Sequence, residues 1–120
     1  MAKYLITGIA GFIGSAIARA LLQQGASVRG IDNLSTGKLE NIEPILGQID
    51  FRQADITNLN EVREATREID YVFHEAAIPS VPKSVKDPIA GNLVNVDGTL
   101  NILVAARDAG VRREIGRAHV

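Results

Sequence analysis

Thr7-Gly8-Ile9-Ala10-Gly11-Phe12-Ile13-Gly14 is the stretch from which the rest of the chain can be read. An apolar run, Tyr4-Leu5-Ile6, leads into it, and a helical pattern, Ser15-Ala16-Ile17-Ala18-Arg19-Ala20-Leu21-Leu22, leads out. A glycine-rich turn between a strand and a helix is how a doubly wound α/β fold holds a dinucleotide's pyrophosphate. In that reading Gly8 turns the strand tightly and Gly11 lacks the Cβ that would block a phosphate. Gly14 lets helix and strand pack closely. The helix directs its free N–H groups and the positive end of its dipole at the anion. Glycine-rich turns are common by themselves; the strand before this one and the helix after it give it meaning.

Outward from the turn, strands and helices alternate without repeats or low-complexity linkers. Lys3–Thr7 reads as the first strand and Phe12–Gln24 as the first helix, with Gly25 just past its end. Val28-Arg29-Gly30-Ile31 is a second strand ending at Asp32, and Asn33–Asn41 is a polar connection. A short helix is expected near Leu39–Leu46, and Ile49–Gln53 reads as the third strand with Asp55 beyond it. Thr57 or Asn58 caps a helix running through Val62 and Ala65 to Glu68. Tyr71-Val72-Phe73, within Asp70–Ala77, is a buried fourth strand by composition. Pro79, Pro82 and Pro88 mark a loop. A long helix follows, with Leu93, Val96, Leu100, Leu103 and Val104 at apolar spacing and Gly110 closing it. Such alternation implies parallel strands joined by right-handed crossovers, in the order 3-2-1-4.

The chain has 120 residues, 46% of them hydrophobic, which suits one domain with a modest core. A net charge of −1 and few aromatics give no case for nucleic acid or an anionic membrane as partner. No cysteine is present, which removes disulfides and thiolate metal sites, and no metal site is expected. No apolar run is long enough to span a bilayer, and Gly8 and Gly11 interrupt any signal-peptide layout. The expectation is a soluble, cytoplasmic protein.

At the other end the pattern breaks. A fifth strand is due near Val111, yet Arg112-Arg113-Glu114-Ile115-Gly116-Arg117-Ala118-His119-Val120 reads poorly as one. Glu114 to Val120 can be written GAG ATC GGA AGA GCA CAC GTC, a common short-read sequencing adapter translated in one frame. Residues 1–113 are therefore expected to be the genuine part of a dinucleotide-binding domain and residues 114–120 a non-native tail. A natural polar C-terminus is the alternative. On the first reading the fourth strand becomes an edge and one sheet face lacks cover.

Asp32 ends the second strand roughly twenty positions beyond Gly8, where a carboxylate accepts hydrogen bonds from an adenosine ribose. The same charge repels a 2′-phosphate, which favours NAD over NADP; Arg29 and Lys38 keep the other cofactor in play. Asp32 is alternatively a turn cap. Asp55 and Ile56 sit where an adenine ring would lie, with Asp55 taking the exocyclic amine or else capping the next helix. His74, ending the fourth strand, reads as a structural histidine, since no second convergent ligand accompanies it. Small Ala76 and Ala77 would let a cofactor ribose approach the backbone.

Together these residues resemble the extended short-chain dehydrogenase/reductase family, specifically its NAD-dependent sugar-nucleotide epimerases and dehydratases. The resemblance rests on Thr7-Gly8-x-x-Gly11-Phe12-Ile13-Gly14, Asp32-Asn33-Leu34-Ser35-Thr36-Gly37, Asp55-Ile56 and His74-Glu75-Ala76-Ala77. Asn95-Val96-Asp97-Gly98-Thr99-Leu100-Asn101 completes the set, in the right order. It implies a Rossmann-type sheet, here incomplete, with NAD as cofactor. It places Phe12 and Ile13 at the pyrophosphate through their backbone and Asp32, Asn33, Ser35, Thr36 and Gly37 around the ribose. Ala76, Ala77 and Pro79 would lie beside the nicotinamide half, and Asn95 is the family's cofactor-side asparagine or else a buried helix polar group.

The segment Ile78–Pro88 is similar to that of 4-epimerases acting on UDP-glucose or UDP-N-acetylglucosamine. Ser80 and Ser84 would then face the nucleotide-sugar substrate, or serve as turn and cap serines. A 4,6-dehydratase shares much of this layout. In the family a Tyr-x-x-x-Lys pair removes the 4-hydroxyl proton as hydride passes to NAD. Here Gly8 stands four positions after Tyr4 and Glu75 four after Tyr71, so no catalytic residue is assigned. The resemblance thus implies the N-terminal portion of a homodimeric parent enzyme, inactive by itself.

Overall fold

Short apolar runs, each followed by a helix, leave the strands only one economical arrangement: side by side and parallel, with the helices on the faces. The computed structural model describes residues 2–35, 37–75, 98–111 and 113–116. Five strands form one parallel sheet: β1 (Lys3–Thr7), β2 (Ser27–Asp32), β3 (Asp50–Gln53), β4 (Tyr71–His74) and β5 (Arg113–Gly116). Their spatial order is β3-β2-β1-β4-β5, which contains the expected 3-2-1-4. The helices are α1 (Phe12–Gln23), α2 (Leu59–Ala65) and α3 (Gly98–Ala109). Two 3-10 helices, Leu39–Asn41 and Glu43–Gln48, fill the place of the single short helix expected there. Pro44 at the start of the second interrupts any continuous α-helical ladder.

Successive strand side chains point to opposite faces, and the core divides accordingly. Leu5, Ile31 and Val72 pack with Val62 and Ala65 of α2 and with Ile102 and Ala105 of α3. On the other face Ile6 and Val28 pack with Ala18 and Leu21 of α1 and with Ile42 and Ile45 of the 3-10 segment. Tyr4 stacks on Tyr71, ring centroids 5.2 Å apart, and lies 6.1 Å from Phe73. Both tyrosines are half-buried strand residues, in keeping with the reading that gives them no chemistry.

Boundaries follow local hydrogen bonding. Asn58, not Thr57, caps α2: its side-chain oxygen accepts from the Glu61 N–H at 3.2 Å. α2 stops at Ala65 rather than Glu68, which adopts φ 63°. Arg29 Nη1 donates to the carbonyls of Ala65 and Arg67, both at 2.8 Å, and Arg52 Nη1 donates to that of Glu64 at 3.3 Å. Guanidinium groups thus meet the electronegative end of the helix.

One expectation is corrected. Arg113–Gly116 is a strand, paired in parallel with β4 in the register Tyr71↔Arg113 to His74↔Gly116. The fourth strand is therefore not the sheet edge, and both faces carry a buried apolar cluster. Backbone pairing asks little of side-chain identity, and the turn at Gly110 (φ 75°) delivers the chain to an edge whose N–H and C=O groups need partners.

Asp50, on the β3 edge, accepts from Arg29 Nε at 3.0 Å and from Arg52 Nη2 at 3.1 Å. The Arg52 guanidinium foremost, with Arg29, holds its carboxyl below the ordinary 3.8 against the opposing effect of partial burial. A carboxyl depressed on folding contributes stability that is present above its unfolded-state pKa and is lost as pH falls through the folded-state value. Asp50→Asn should therefore lower the melting temperature less at about pH 3 than at about pH 6. Equal losses at both pH values would remove this ion pair from the acid sensitivity.

Candidate functional site

Register brings Thr7, Asp32 and His74 to one end of the sheet. Thr7 pairs with Ile31 on one side and with His74 on the other, and Asp32 follows Ile31 directly. The C-terminal ends of β1, β2 and β4 therefore lie together, which is where open α/β sheets bind ligands.

The glycine turn is built as its sequence implies. Gly8 takes φ 71°, a conformation that side chains with a Cβ resist. Its N–H donates to the Ile31 carbonyl at 2.8 Å, fastening the turn over β2. A Cβ on Gly14 would overlap the Gly8 carbonyl oxygen and stand 3.0 Å from the Gly8 carbonyl carbon and from Ile9 Cα. Helix α1 therefore starts in direct contact with the end of β1. At Gly11 the backbone is extended (φ −75°, ψ 170°), and a Cβ would come to 3.2 Å from Gly8 O, tight but adjustable.

Three observations suit this end of the molecule to the phosphates and ribose of a dinucleotide. First, α1 begins without a side-chain cap and without an acidic residue in its first turn. The first intrahelical acceptor used is Gly11 O, by Ser15 N–H at 3.0 Å, so the positive helix end is open to an anion. Second, Phe12 is 87% exposed and Ile13 44%, so the first helical residues face outward rather than into the core. Third, Asp32 is only 8% exposed, yet each oxygen is fixed by a main-chain amide. Ala10 N–H donates to Oδ2 at 2.9 Å and Leu34 N–H, from a left-handed residue (φ 63°), donates to Oδ1 at 2.7 Å. Each oxygen keeps acceptor capacity for a hydroxyl. Gly37 closes over it: a Cβ there would lie 2.8 Å from Asp32 Oδ2.

The remaining expected residues fall out as follows. Asn33 Oδ1 accepts from the Ser35 N–H at 3.0 Å, shaping the loop beside Asp32. Asp55 Oδ1 accepts from Thr57 N–H (2.9 Å) and Thr57 Oγ1 (2.7 Å), so it shapes the turn ahead of α2. Ile56 is 5% exposed with its side chain in the core, and its carbonyl accepts from Asn101 Nδ2 at 2.9 Å. His74 is buried and shares a 2.7 Å hydrogen bond between Nδ1 and Thr7 Oγ1, which also accepts from Glu75 N–H at 3.0 Å. Arg29, the cation nearest in sequence to Asp32, is committed to Asp50 and the end of α2. Thr36, Ala76, Ala77, Pro79, Ser80, Ser84 and Asn95 lie outside the described residues.

Two residues of this edge escape sequence reasoning. Ala10 contributes only backbone, and Asn41 enters from the end of the polar connection, where no pattern marks it. Its Nδ2 donates to the Ala10 carbonyl at 2.8 Å. A shallow cleft between β3 and α2, lined by Arg52, Gln53, Asn60, Glu61 and Glu64 among others, includes none of the expected cofactor residues. Among the described residues no cluster of metal-ligating side chains occurs, and no helix is long and apolar enough to cross a membrane.

A profile of the NAD dependent epimerase/dehydratase family matches residues 4–116. Among curated proteins the chain is 42% identical to a UDP-glucose 4-epimerase of Mycolicibacterium smegmatis, over 94% of this chain and 37% of that protein. UDP-sugar-acid decarboxylases are also among its relatives. Of solved structures, the UDP-glucose 4-epimerase of Thermus thermophilus in complex with NAD is 43% identical, with a TM-score of 0.86, over 93% of this chain and 36% of that one. A dTDP-glucose 4,6-dehydratase from Streptomyces venezuelae with NAD bound is 32% identical, with a TM-score of 0.88, over 93% and 38%. The chain thus spans between 26% and 38% of the length of these proteins.

Because a Cβ at position 14 meets backbone rather than a movable side chain, Gly14→Ala should cost about 1–3 kcal/mol of stability. Urea unfolding measures it. A loss within about 0.5 kcal/mol of zero would mean that α1 is not packed this closely.

Proposed function

The chain belongs to the NAD dependent epimerase/dehydratase family, and on that premise we propose that it is the NAD-holding portion of a nucleotide-sugar 4-epimerase of the UDP-glucose or UDP-N-acetylglucosamine type. The observation that carries the proposal is the open, uncapped start of α1 beside an Asp32 carboxylate fixed by two main-chain amides. The helix start and the backbone of Gly11 to Gly14 hold the pyrophosphate. Asp32, with the loop from Asn33 to Gly37, holds the adenosine ribose, and its charge excludes a 2′-phosphate. Asp55 and the backbone of Ile56 border adenine. Ala76, Ala77, Pro79 and Asn95 attend the nicotinamide half, while Ser80 and Ser84 face the sugar.

When bound, NAD supplies a reversible hydride acceptor for the sugar's C4. These 120 residues contribute binding and orientation but no Tyr-x-x-x-Lys pair to take the 4-hydroxyl proton, so turnover is not assigned to them alone. The longer parent is an isomerase, homodimeric and cytoplasmic, acting on a nucleotide sugar.

A second reading, a 4,6-dehydratase, is favoured by the likeness to the Streptomyces enzyme. An acidic pair beside the serine or threonine that assists the family's tyrosine, in the continuation of the reading frame, would distinguish it. A non-catalytic NAD-binding module is the third. Residues 114–120 are proposed to be non-native, because Glu114–Val120 can be back-translated into an adapter sequence. Sequencing source DNA outward from the Met1 codon should replace them with a strand, a serine-rich segment and Tyr-x-x-x-Lys. A locus that encodes Glu114–Val120 and then stops would leave the binding module standing.

Calorimetric titration with NAD and NADP tests the cofactor site. Gly11→Val should abolish NAD binding, because its side chain would occupy the phosphate position, and unchanged affinity would refute the phosphate-loop assignment. Asp32→Asn should narrow the preference for NAD over NADP, and an unaltered ratio would remove Asp32 from the ribose.

A further inference from the structure

Asp32 does not hold its orientation alone. Its Oδ2 is set by Ala10 N–H, and Ala10 is itself gripped from the other side. The Ala10 carbonyl accepts from Lys38 N–H at 3.1 Å and from Asn41 Nδ2 at 2.8 Å. Ala10 is fully buried, so neither bond is exchanged readily for water. Asn41 is anchored in turn: its N–H donates to the Lys38 carbonyl at 2.9 Å, and its carbonyl accepts from Arg19 Nη1 of α1 at 3.0 Å. One side chain therefore ties the 3-10 segment after the polar connection to the middle of the glycine turn.

We infer that Asn41 is a positioning residue for the adenosine-ribose site, acting through the Ala10 backbone on the Asp32 carboxylate without touching the cofactor. The inference rests on the NAD-binding reading above and extends it to a residue past the loop that faces the ligand. Its chemistry is specific: a primary amide donates to Ala10 O, and the side chain of Asn41 is short enough to sit under the turn. Loss of that donor leaves Lys38 N–H as the remaining described partner of a buried carbonyl. The Ala10–Gly11 peptide is then held less firmly, and because it shares the Ala10 Cα with the Ile9–Ala10 peptide, the N–H that meets Asp32 is placed less firmly too.

Calorimetry on the full 120-residue chain tests this with two probes, ADP and 2′,3′-dideoxy-ADP, which share adenine and pyrophosphate but differ in the ribose diol. Asn41→Ala and the near-isosteric Asn41→Leu should each weaken ADP about fivefold, the value of roughly one net hydrogen bond. Binding of the dideoxy nucleotide should be unchanged, and in an Asp32→Ala background neither substitution should weaken ADP further. A general loss of structure would instead weaken both nucleotides equally, and that result, or no loss for ADP, overturns the inference. If the unsubstituted chain binds neither ADP nor NAD, the cofactor reading itself fails. If it binds both and the Asn41 variants bind ADP as well as it does, only the role of Asn41 fails.

Discussion

The close approach of α1 to the end of β1 is the constraint on which the rest depends. It exists because position 14 has no Cβ to strike the Gly8 carbonyl. From that contact follows the direction of α1, and hence the placement of its positive end at the C-terminal edge of the sheet. The glycine turn is then held between two fixed bodies, helix and sheet, and its Ala10 N–H is aimed at the carboxylate ending β2. Close packing and electrostatics are here one design: the absence of a methyl group decides where a partial charge points.

The two ends of β2 show the same division. Near its start Arg29 is paired with Asp50 and spans to the carbonyls at the end of α2, holding the sheet's far edge together. At its finish Asp32 pairs with no cation among the described residues; main-chain amides fix it. An ion pair there would have neutralised the charge that, on the proposed function, selects among nucleotides. Main-chain amides hold the carboxylate in place without a counter-charge, which suits the proposed discrimination against a 2′-phosphate.

Strand order, the parallel sheet and the glycine turn were legible in the residues because each has a local signature: a period of two, a period near 3.6, and glycines where backbone must crowd. The place of Asp32 at the end of β2 was legible as well. Helix α2 read three residues too long, since the guanidinium groups that end it come from β2 and β3, remote in sequence. β5 was misread because Arg113, Glu114 and Gly116 do not form an apolar strand pattern, whereas an open strand edge recruits backbone regardless of side chain. Asn41 and Ala10 left no trace in the pattern, as their work is done by a single amide and a main-chain carbonyl across thirty-one positions. Ile56, read as lying beside adenine, keeps its side chain in the core.

The central claim is that the glycine turn and the Asp32 loop form one half-site for a dinucleotide. Amide chemical-shift mapping of the isotope-labelled chain during titration with NAD tests it most directly. The account predicts saturable shifts concentrated at Ala10 to Gly14 and at Leu34, Ser35 and Gly37, with the β3 edge and the cleft beside α2 unmoved. Shifts centred on Arg52, Asn60 and Glu64, or none at all, would contradict it.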